Sequence, residues 1–311
     1  MVERRLEASQ VSSVMIAFID GRSPVEVLRV PDVAVEAPNW TSDGRWLIVN
    51  AAGRLWRVAA EADAELEPID VQGIPDLNND HVLAPDGEHI YLSANDGHIY
   101  QAPLNGGRAR RITNTDRPER MHYLHGVSPD GALLCYIGLE PSNGDSTANV
   151  FMIPTAGGAD RQLTDSNKPS DGCEFTPDGS WILFNTEMFS RTPGHAQIAR
   201  MRTDGSDLQQ LTFDERVNWF PHASPDGSMI IYLSYPPGTT GHPPNLPVQL
   251  RLVRDEDWAN PGDTDQHFRW PGNYQRQQLG ARQPTLRLCG LPSGRPLIRS
   301  LPDQAALQPT G

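Results

Sequence analysis

A strand–turn–strand phrase occurs five times along this chain and constrains its fold more than any other sequence feature. The copies read "NWTSDGRWLIVN", "HVLAPDGEHIYLSAND", "HGVSPDGALLCYIGLE", "FTPDGSWILFNTE" and "HASPDGSMIIYLSY". Their turn aspartates are Asp43, Asp86, Asp130, Asp178 and Asp226, at spacings of 43, 44, 48 and 48 residues. A period of this length is typical of a repeat architecture, in which one structural unit is placed beside the next.

Each repeat predicts four short strands. Within "PDG", Pro presets φ, Asp hydrogen-bonds the local backbone and Gly takes a positive φ, so the phrase is a turn between two strands. A third strand ("VFMIPTAGG", "QIARMRTDGS") and a fourth ("RQLTDS", "LQQLTFD") follow. Four short strands per unit, with no long helical pattern, predict one blade of a β-propeller. A β-sandwich would explain the strands but not the period.

The repeat also resembles that of a known family. "SPDG" before the second strand, with "GG-x-x-x-x-LT" or "GG-x-x-x-x-IT" closing the unit, is similar to the WD-like repeat of TolB-type propellers. The resemblance covers about residues 30–255 and implies an all-β, six-bladed propeller. It is closer to the stand-alone TolB-like propellers of bacteria than to TolB, whose N-terminal domain has no counterpart here. We therefore do not expect a Tol–Pal role.

The two ends of the chain differ from the repeat, which divides the sequence into three parts. Residues 1–29 contain "SVMIAFID" and "VEVLRVPD", a hairpin expected to close the last blade. Residues 30–255 form five blades. Residues 256–311 are atypical, because the period predicts a sixth turn near residue 280 where the sequence is rich in Arg, Gln and Pro. The sixth blade is therefore expected to be incomplete or disrupted.

Two explanations of the C-terminal part remain open. It is a disordered tail, or its reading frame is shifted. Read one base later from Phe268, the degenerate codons permit "FGGQGTINVNSWAPDSRRFAYV", which is a sixth lead-in, turn and strand. We hypothesise a one-base frameshift near residues 255–267, which the nucleotide sequence tests.

The amino-acid composition restricts the classes of molecule that the protein is expected to bind. The net charge of −13 argues against binding to nucleic acid, which needs clustered Lys and Arg, and suits an acidic surface or a site for cations. No apolar stretch approaches the roughly 20 residues that span a bilayer, so we expect no membrane insertion. No signal peptide is visible, and we expect a cytoplasmic protein, or a periplasmic one if the true N-terminus lies upstream. Cys135, Cys173 and Cys289 fit no metal-ligand spacing and are expected to be buried thiols.

Polar residues gather on one predicted face. In a propeller, the lead-ins to the first strands and the loops between second and third strands share that face, and the innermost strands line the central channel. Imidazoles of His81, His125 and His222 would suit a divalent metal such as Mn, Zn or Fe. Alternatively, these groups fill the channel mouth and hydrogen-bond one another or water. The predicted binding residues are His81, His125, Asp171, Trp219, His222 and His242.

The sequence leaves two functions open, because a propeller fold by itself does not determine what the protein does. The first, which we favour, is a module without catalysis that binds a protein or small molecule at the histidine-rich face. The second is a metal-dependent enzyme. Resemblance to oligogalacturonate lyases implies a Mn-holding face on which a histidine takes a proton from a uronate. Few arginines near the face weigh against a polyuronate substrate. The sequence contains no G-x-S-x-G elbow, P-loop or Rossmann fingerprint.

Overall fold

The fold is built from strands alone in the part of the chain that the structure describes. The computed structural model describes residues 6, 10–18, 22–142, 145–243, 246, 248–263, 277–279 and 285–290. Residues 145, 263, 277–279 and 285–290 are described by their backbone only. None of these residues belongs to a helix that could cross a membrane.

The strands follow the chain in groups of four, after an N-terminal hairpin. The hairpin is β1 (Ser12–Phe18) and β2 (Val25–Val30). The first half of the repeats contains β3 (Val35–Trp40), β4 (Trp46–Ala51), β5 (Arg54–Ala59), β6 (Glu67–Pro68), β7 (Val71–Gln72), β8 (Leu77–Leu83), β9 (His89–Ala94), β10 (Ile99–Pro103), β11 (Gly107–Arg108) and β12 (Arg110–Arg111). The second half contains β13 (Met121–Val127), β14 (Leu133–Ser142), β15 (Asp145–Pro154), β16 (Arg161–Gln162), β17 (Ser170–Phe175), β18 (Trp181–Thr186), β19 (Gln197–Arg202), β20 (Gln209–Gln210), β21 (Val217–Ala223), β22 (Met229–Tyr235), β23 (Gln249–Arg254) and β24 (Gly262–Asp263). The last two strands are β25 (Gln277–Leu279) and β26 (Thr285–Gly290).

Five antiparallel, four-stranded sheets form the blades of a propeller. Blade 1 is β3–β6, blade 2 is β8, β9, β10 and β12, and blades 3, 4 and 5 are β13–β16, β17–β20 and β21–β24. The short strands β7 and β11 pair in parallel and connect blade 1 to blade 2. The all-β propeller is as predicted. The prediction of six blades, the sixth incomplete or disrupted, is corrected to five, because the described part of the chain contains five sheets built from the repeat.

The N-terminal hairpin belongs to a different sheet, in the order β2-β1-β26-β25. Strand β1 pairs with β26 in an antiparallel register that places Val14 opposite Cys289. Strand β25 lies beside β21 of blade 5 and β3 of blade 1. The proposed shifted phrase begins at Phe268. Phe268 and residues 291–311 of the predicted tail lie outside the described residues.

Hydrogen bonds explain why the turn phrase recurs. In four blades a Ser or Thr two residues before the turn aspartate donates to its Oδ1, for example Ser128 to Asp130 at 2.6 Å. The same hydroxyl accepts the backbone N–H that starts the next strand, that of Leu133 at 2.9 Å. The carboxylate then accepts the N–H of Ala132 at 3.0 Å. These bonds to the ionised form lower the pKa of the Asp130 carboxyl. Blade 2 has Ala84 at this position.

The blades are held together by apolar side chains packed between neighbouring sheets. Between blades 3 and 4, for example, Ile137 and Val150 pack with Phe184 in one buried cluster. Cys135 and Cys173 belong to this cluster and are not in a disulfide, as predicted. Burial raises the pKa of the Cys173 thiol well above its ordinary value, so this group is an inert part of the core.

Candidate functional site

A bulge in the innermost strand of every blade shapes the surface of the channel. The pairing register shifts once in each of β3, β8, β13, β17 and β21. Three of the bulges contain a residue with positive φ: Ala37 (52°), Gly172 (62°) and Phe220 (53°). Bulges redirect side chains and are common next to binding sites. In β21 the bulge lies between Trp219 and His222 and presents both residues to the same cavity.

This cavity has a volume of about 300 Å³ and is lined by residues of blades 2 to 5. Five of the six predicted binding residues line it: His125, Asp171, Trp219, His222 and His242. They come from three blades and from the loop after β22. The structure thus brings together side chains that are up to 117 positions apart in the sequence, counted from His125 to His242. That they bind a ligand remains a prediction.

Asp171 connects two of the histidines. Its Oδ1 lies 2.8 Å from Nε2 of His125, and its Oδ2 lies 4.0 Å from Nε2 of His242. The backbone N–H of Gly172 donates to the same carboxylate at 2.8 Å. Burial alone would raise the pKa of Asp171, but the hydrogen bond from His125 and the charges of both imidazoles outweigh burial and lower it. Asp171 is therefore ionised at neutral pH.

A second carboxylate–imidazole pair lies behind the cavity surface. Oε2 of Glu174 accepts a hydrogen bond from Nδ1 of His222, and its Oε1 accepts the backbone N–H of Ala223 at 3.2 Å. His222 is 6% exposed, and its other ring nitrogen, Nε2, is buried without a hydrogen-bond partner among the described residues. Glu174 thus fixes the orientation of the ring and leaves Nε2 as its unpartnered nitrogen.

Aromatic rings form one wall of the cavity. Trp219 and Phe220 lie 5.5 Å apart between ring centroids. The His242 ring meets both edge-on, at 4.8 Å and 5.1 Å. Trp219 is 7% exposed, and its Nε1 is a buried donor that has no partner among the described residues. The wall therefore combines apolar faces with one unused donor.

His81 is the predicted residue that the structure places elsewhere. Its side chain is fully buried, with Nε2 3.3 Å from the carbonyl oxygen of Ile48 in blade 1, and it does not contribute to the cavity lining. The bulge in β8 extends over residues 77–81, which directs His81 into the junction between blades. Its neighbour Asp80 lines the cavity instead.

The predicted metal site does not fit these residues. A metal would need His81, His125 and His222 to converge, but His81 lies at a blade junction, and the other two direct a ring nitrogen to different carboxylates. Within the described part of the chain, no group of three or more His, Cys, Asp or Glu side chains could hold a metal ion. We therefore assign no step to a metal.

A second cluster of histidines serves packing. His122 stacks on His98, with ring centroids 5.8 Å apart, and lies 5.0 Å from the ring of Tyr136. Burial lowers the pKa of His122 to about 4, although the hydrogen bond between its Nδ1 and the carbonyl oxygen of Gly97, at 2.6 Å, opposes this shift. His122 is therefore a neutral core residue.

Comparison with known proteins assigns the family. A relative from Agrobacterium fabrum, itself uncharacterised, is 35% identical over 256 residues, which are 81% of this chain and 83% of that protein. The solved structure of a protein from Agrobacterium tumefaciens, provisionally named TolB, has a TM-score of 0.78 and 28% identity, and the match covers 91% of this chain and 99% of that chain. The chain belongs to the TolB-like β-propeller family. No family model matches it.

Two more distant matches are proteins with named activities or assemblies. TolB of the Tol–Pal system from Francisella tularensis is 25% identical over 229 residues, which are 71% of this chain but only 50% of that protein. An oligogalacturonate lyase from Vibrio parahaemolyticus has a TM-score of 0.57 and 15% identity, with 88% of this chain and 77% of that chain covered. The lyase match shows a shared fold only.

Several residues of the TolB-like cavity were not among the predicted binding residues. Asp80, Tyr123, Glu187 and Phe220 line it, and Glu174 supports His222 from behind. The repeat contains a signal for Glu174, because both Glu174 and His222 lie four residues before their turn aspartate. Tyr123 has a signal as well, because it lies seven residues before its turn aspartate, as Asp171 and Trp219 do. Asp80 and Phe220 lie within bulges and Glu187 lies in the loop after β18, where the repeat gives no such signal.

Proposed function

We propose that this TolB-like propeller is a binding module that takes a small molecule, or a short segment of a partner protein, in the cavity lined by His125, Asp171, Trp219, His222 and His242. The observation that carries the proposal is the pair of buried ring nitrogens, Nε1 of Trp219 and Nε2 of His222, without partners in the described part of the chain. Buried polar groups in folded proteins nearly always have hydrogen-bond partners, and a ligand in the cavity would supply them.

A ligand screen by thermal unfolding tests this proposal. A compound that binds only the folded protein raises its stability, by about 2.7 kcal/mol at a concentration of 100 times Kd. We expect such compounds to shift the wild type and to lose their effect in Trp219→Leu. The matched control is Trp46→Leu, because Trp46 lines a separate recess of about 560 Å³ beside the turns. A ligand whose shift depends on Trp46 and not on Trp219 would contradict the proposal.

A second candidate function is proton abstraction from a bound substrate. The Glu174–His222 pair supports it, because a carboxylate that orients one imidazole nitrogen leaves the other as a general base. The absence of Lys and Arg from the residues that line the cavity weighs against an anionic uronate substrate. Incubation with oligogalacturonate, with and without Mn²⁺, tests this candidate. Unsaturated product that disappears in His222→Gln would support it, and no product under either condition would remove it.

We further propose that residues 1–29 close the propeller by completing a sixth blade together with C-terminal strands. Support comes from the pairing of β1 with β26 and from the place of β25 beside blades 5 and 1. Closure would cover the apolar sheet faces of blades 1 and 5, which an open ring would leave exposed.

A further inference from the structure

The cavity has an excess of negative charge. Asp80, Asp171 and Glu187 line it, and no Lys or Arg is among its lining residues. Glu174 adds a fourth carboxylate directly behind His222. The histidines that line the cavity, and whose positive charge would offset these carboxylates, are His125, His222 and His242. Since four carboxylates face three imidazoles, the ionised site remains negative whichever histidines are protonated.

Lys168 and Arg216, which lie close to lining residues in the sequence, are engaged elsewhere. Lys168, the single lysine of the chain, donates to the backbone carbonyl of Ser190 at 2.9 Å. Arg216 binds Ser234 twice, through Nε to the hydroxyl at 2.9 Å and through Nη2 to the carbonyl at 2.7 Å. Neither residue lines the cavity. An anionic ligand would therefore meet carboxylates without a compensating lysine or arginine.

The aromatic wall adds a second feature that favours a positive ligand. Tyr123, Trp219 and Phe220 line the same cavity as Asp171 and Glu187. A cation above an aromatic face is attracted by the ring quadrupole, and the attraction is larger at a desolvated site. Trp219 is nearly buried, so its face would contact a ligand in a site shielded from bulk water.

The unpartnered N–H donor of Trp219 indicates a further chemical group that the ligand should contain. Its Nε1–H has no acceptor among the described residues, and an indole N–H can only donate. A ligand with a hydroxyl or carbonyl oxygen would accept from it. The volume of about 300 Å³ suits a small molecule.

We propose that the ligand of this cavity is a small organic cation, an alkylammonium compound with a hydroxyl or carbonyl group. This assignment rests on the proposed binding function and names the ligand class of the same site. The carboxylates provide charge, the aromatic wall provides contact area, and the indole N–H selects the oxygen.

Isothermal titration with choline and with its uncharged carbon isostere, dimethylbutanol, tests the assignment, because the two probes differ in charge at nearly equal shape. We expect choline to bind about tenfold or more tightly than dimethylbutanol. Asp171→Asn should weaken choline about tenfold and leave dimethylbutanol unchanged. Glu187→Gln is the second variant, in case Asp171→Asn disturbs the fold through His125. The control Asp43→Asn, at the separate recess, should bind choline as the wild type does.

The results of these titrations distinguish a wrong ligand class from a wrong binding site. Equal affinity for choline and dimethylbutanol, or no binding of choline, overturns the cation assignment. If galacturonate binds instead and Trp219→Leu abolishes that binding, the cavity remains a ligand site and only its charge class is wrong. If choline binds but Trp219→Leu and Asp171→Asn have no effect, the site itself is misplaced and both proposals fall.

Discussion

His122 shows how burial, rather than histidine content, decides what an imidazole does in this protein. Its folded pKa of about 4 lies below the ordinary value of 6.5. Between these values the unfolded chain binds a proton that the folded protein does not, so stability is fully present above pH 6.5 and falls as the pH drops towards 4. The shift corresponds to about 3 kcal/mol.

The variant His122→Gln should therefore reduce the acid sensitivity of the protein. Urea unfolding at pH 7.5 and 4.5 measures the free energy of unfolding under both conditions. We expect the difference between the two values to shrink by about 2 to 3 kcal/mol in His122→Gln. The control His89→Gln changes a half-buried histidine at the surface and should not reduce it. An unchanged pH dependence in His122→Gln would contradict the assignment of a neutral, buried His122.

Gly172 supports the cavity through its backbone conformation. Its φ is +62°, and a Cβ there would lie 2.8 Å from both Oδ1 of Asn185 and Cδ1 of Phe220. Gly227 has a similar φ of +73° with no atom within 4 Å of such a Cβ. Gly227→Ala should therefore cost only the strain of the left-handed conformation, about 1 to 2 kcal/mol, and Gly172→Ala about 1 to 3 kcal/mol more. Equal losses on urea unfolding would show that Gly172 is not confined by its neighbours.

At the scale of the element, the turn between first and second strands explains both the repeat and its exception. Ser128 supplies two hydrogen bonds to its turn. In blade 2, Ala84 supplies none, and Oδ1 of Asp86 accepts the N–H of His89 instead, at 3.0 Å. The backbone of the two turns is otherwise alike: the N–H groups of Ala84 and Ser128 bond to the equivalent carbonyl oxygens of His89 and Leu133, at 2.9 Å and 2.8 Å.

Ala84→Ser should stabilise the protein, because the missing hydroxyl bridge would be restored where Ala84 borders the recess beside the turns. We expect Ala84→Ser to raise the free energy of unfolding by about 0.5 to 1 kcal/mol. Ser128→Ala should lower the free energy of unfolding by about 1 to 2 kcal/mol, because it leaves the Leu133 N–H without its acceptor. Chemical denaturation of both variants measures these changes. Destabilisation by Ala84→Ser would show that the blade 2 turn differs from the others.

The inner strands show how far the sequence predicts the site. The period and the alternating strands predict the blades. The lead-in positions predict four of the lining residues, and the loop after β22 contains the fifth, His242. The bulges cannot be predicted, because Ala37 and Phe220 adopt a positive φ that their residue types rarely take. The bulge in β8 is why His81 is buried while Asp80 lines the cavity. Tertiary packing of neighbouring blades, not local preference, selects these conformations.

At the scale of the whole molecule, an engineered disulfide tests the pairing of β1 with β26. Val14 of β1 lies opposite Cys289 of β26 in the antiparallel register. Directly opposed residues of this kind can be joined by a disulfide. Val14→Cys should therefore form a disulfide with Cys289 under mild oxidation, detected as a cross-linked peptide by mass spectrometry. Ile16→Cys, which lies opposite Arg287, is the control and should not. Failure of Val14→Cys to cross-link in folded protein would remove the support for closure by residues 1–29.

The most direct test of the binding cavity is a crystal structure of the protein with choline, or with the compound that gives the largest Trp219-dependent thermal shift. We expect ligand density between Asp171 and the Trp219 ring, within hydrogen-bond distance of Nε1 of Trp219. Density in the recess lined by Trp40 and Trp46, with the cavity of blades 2 to 5 containing only water, would contradict it.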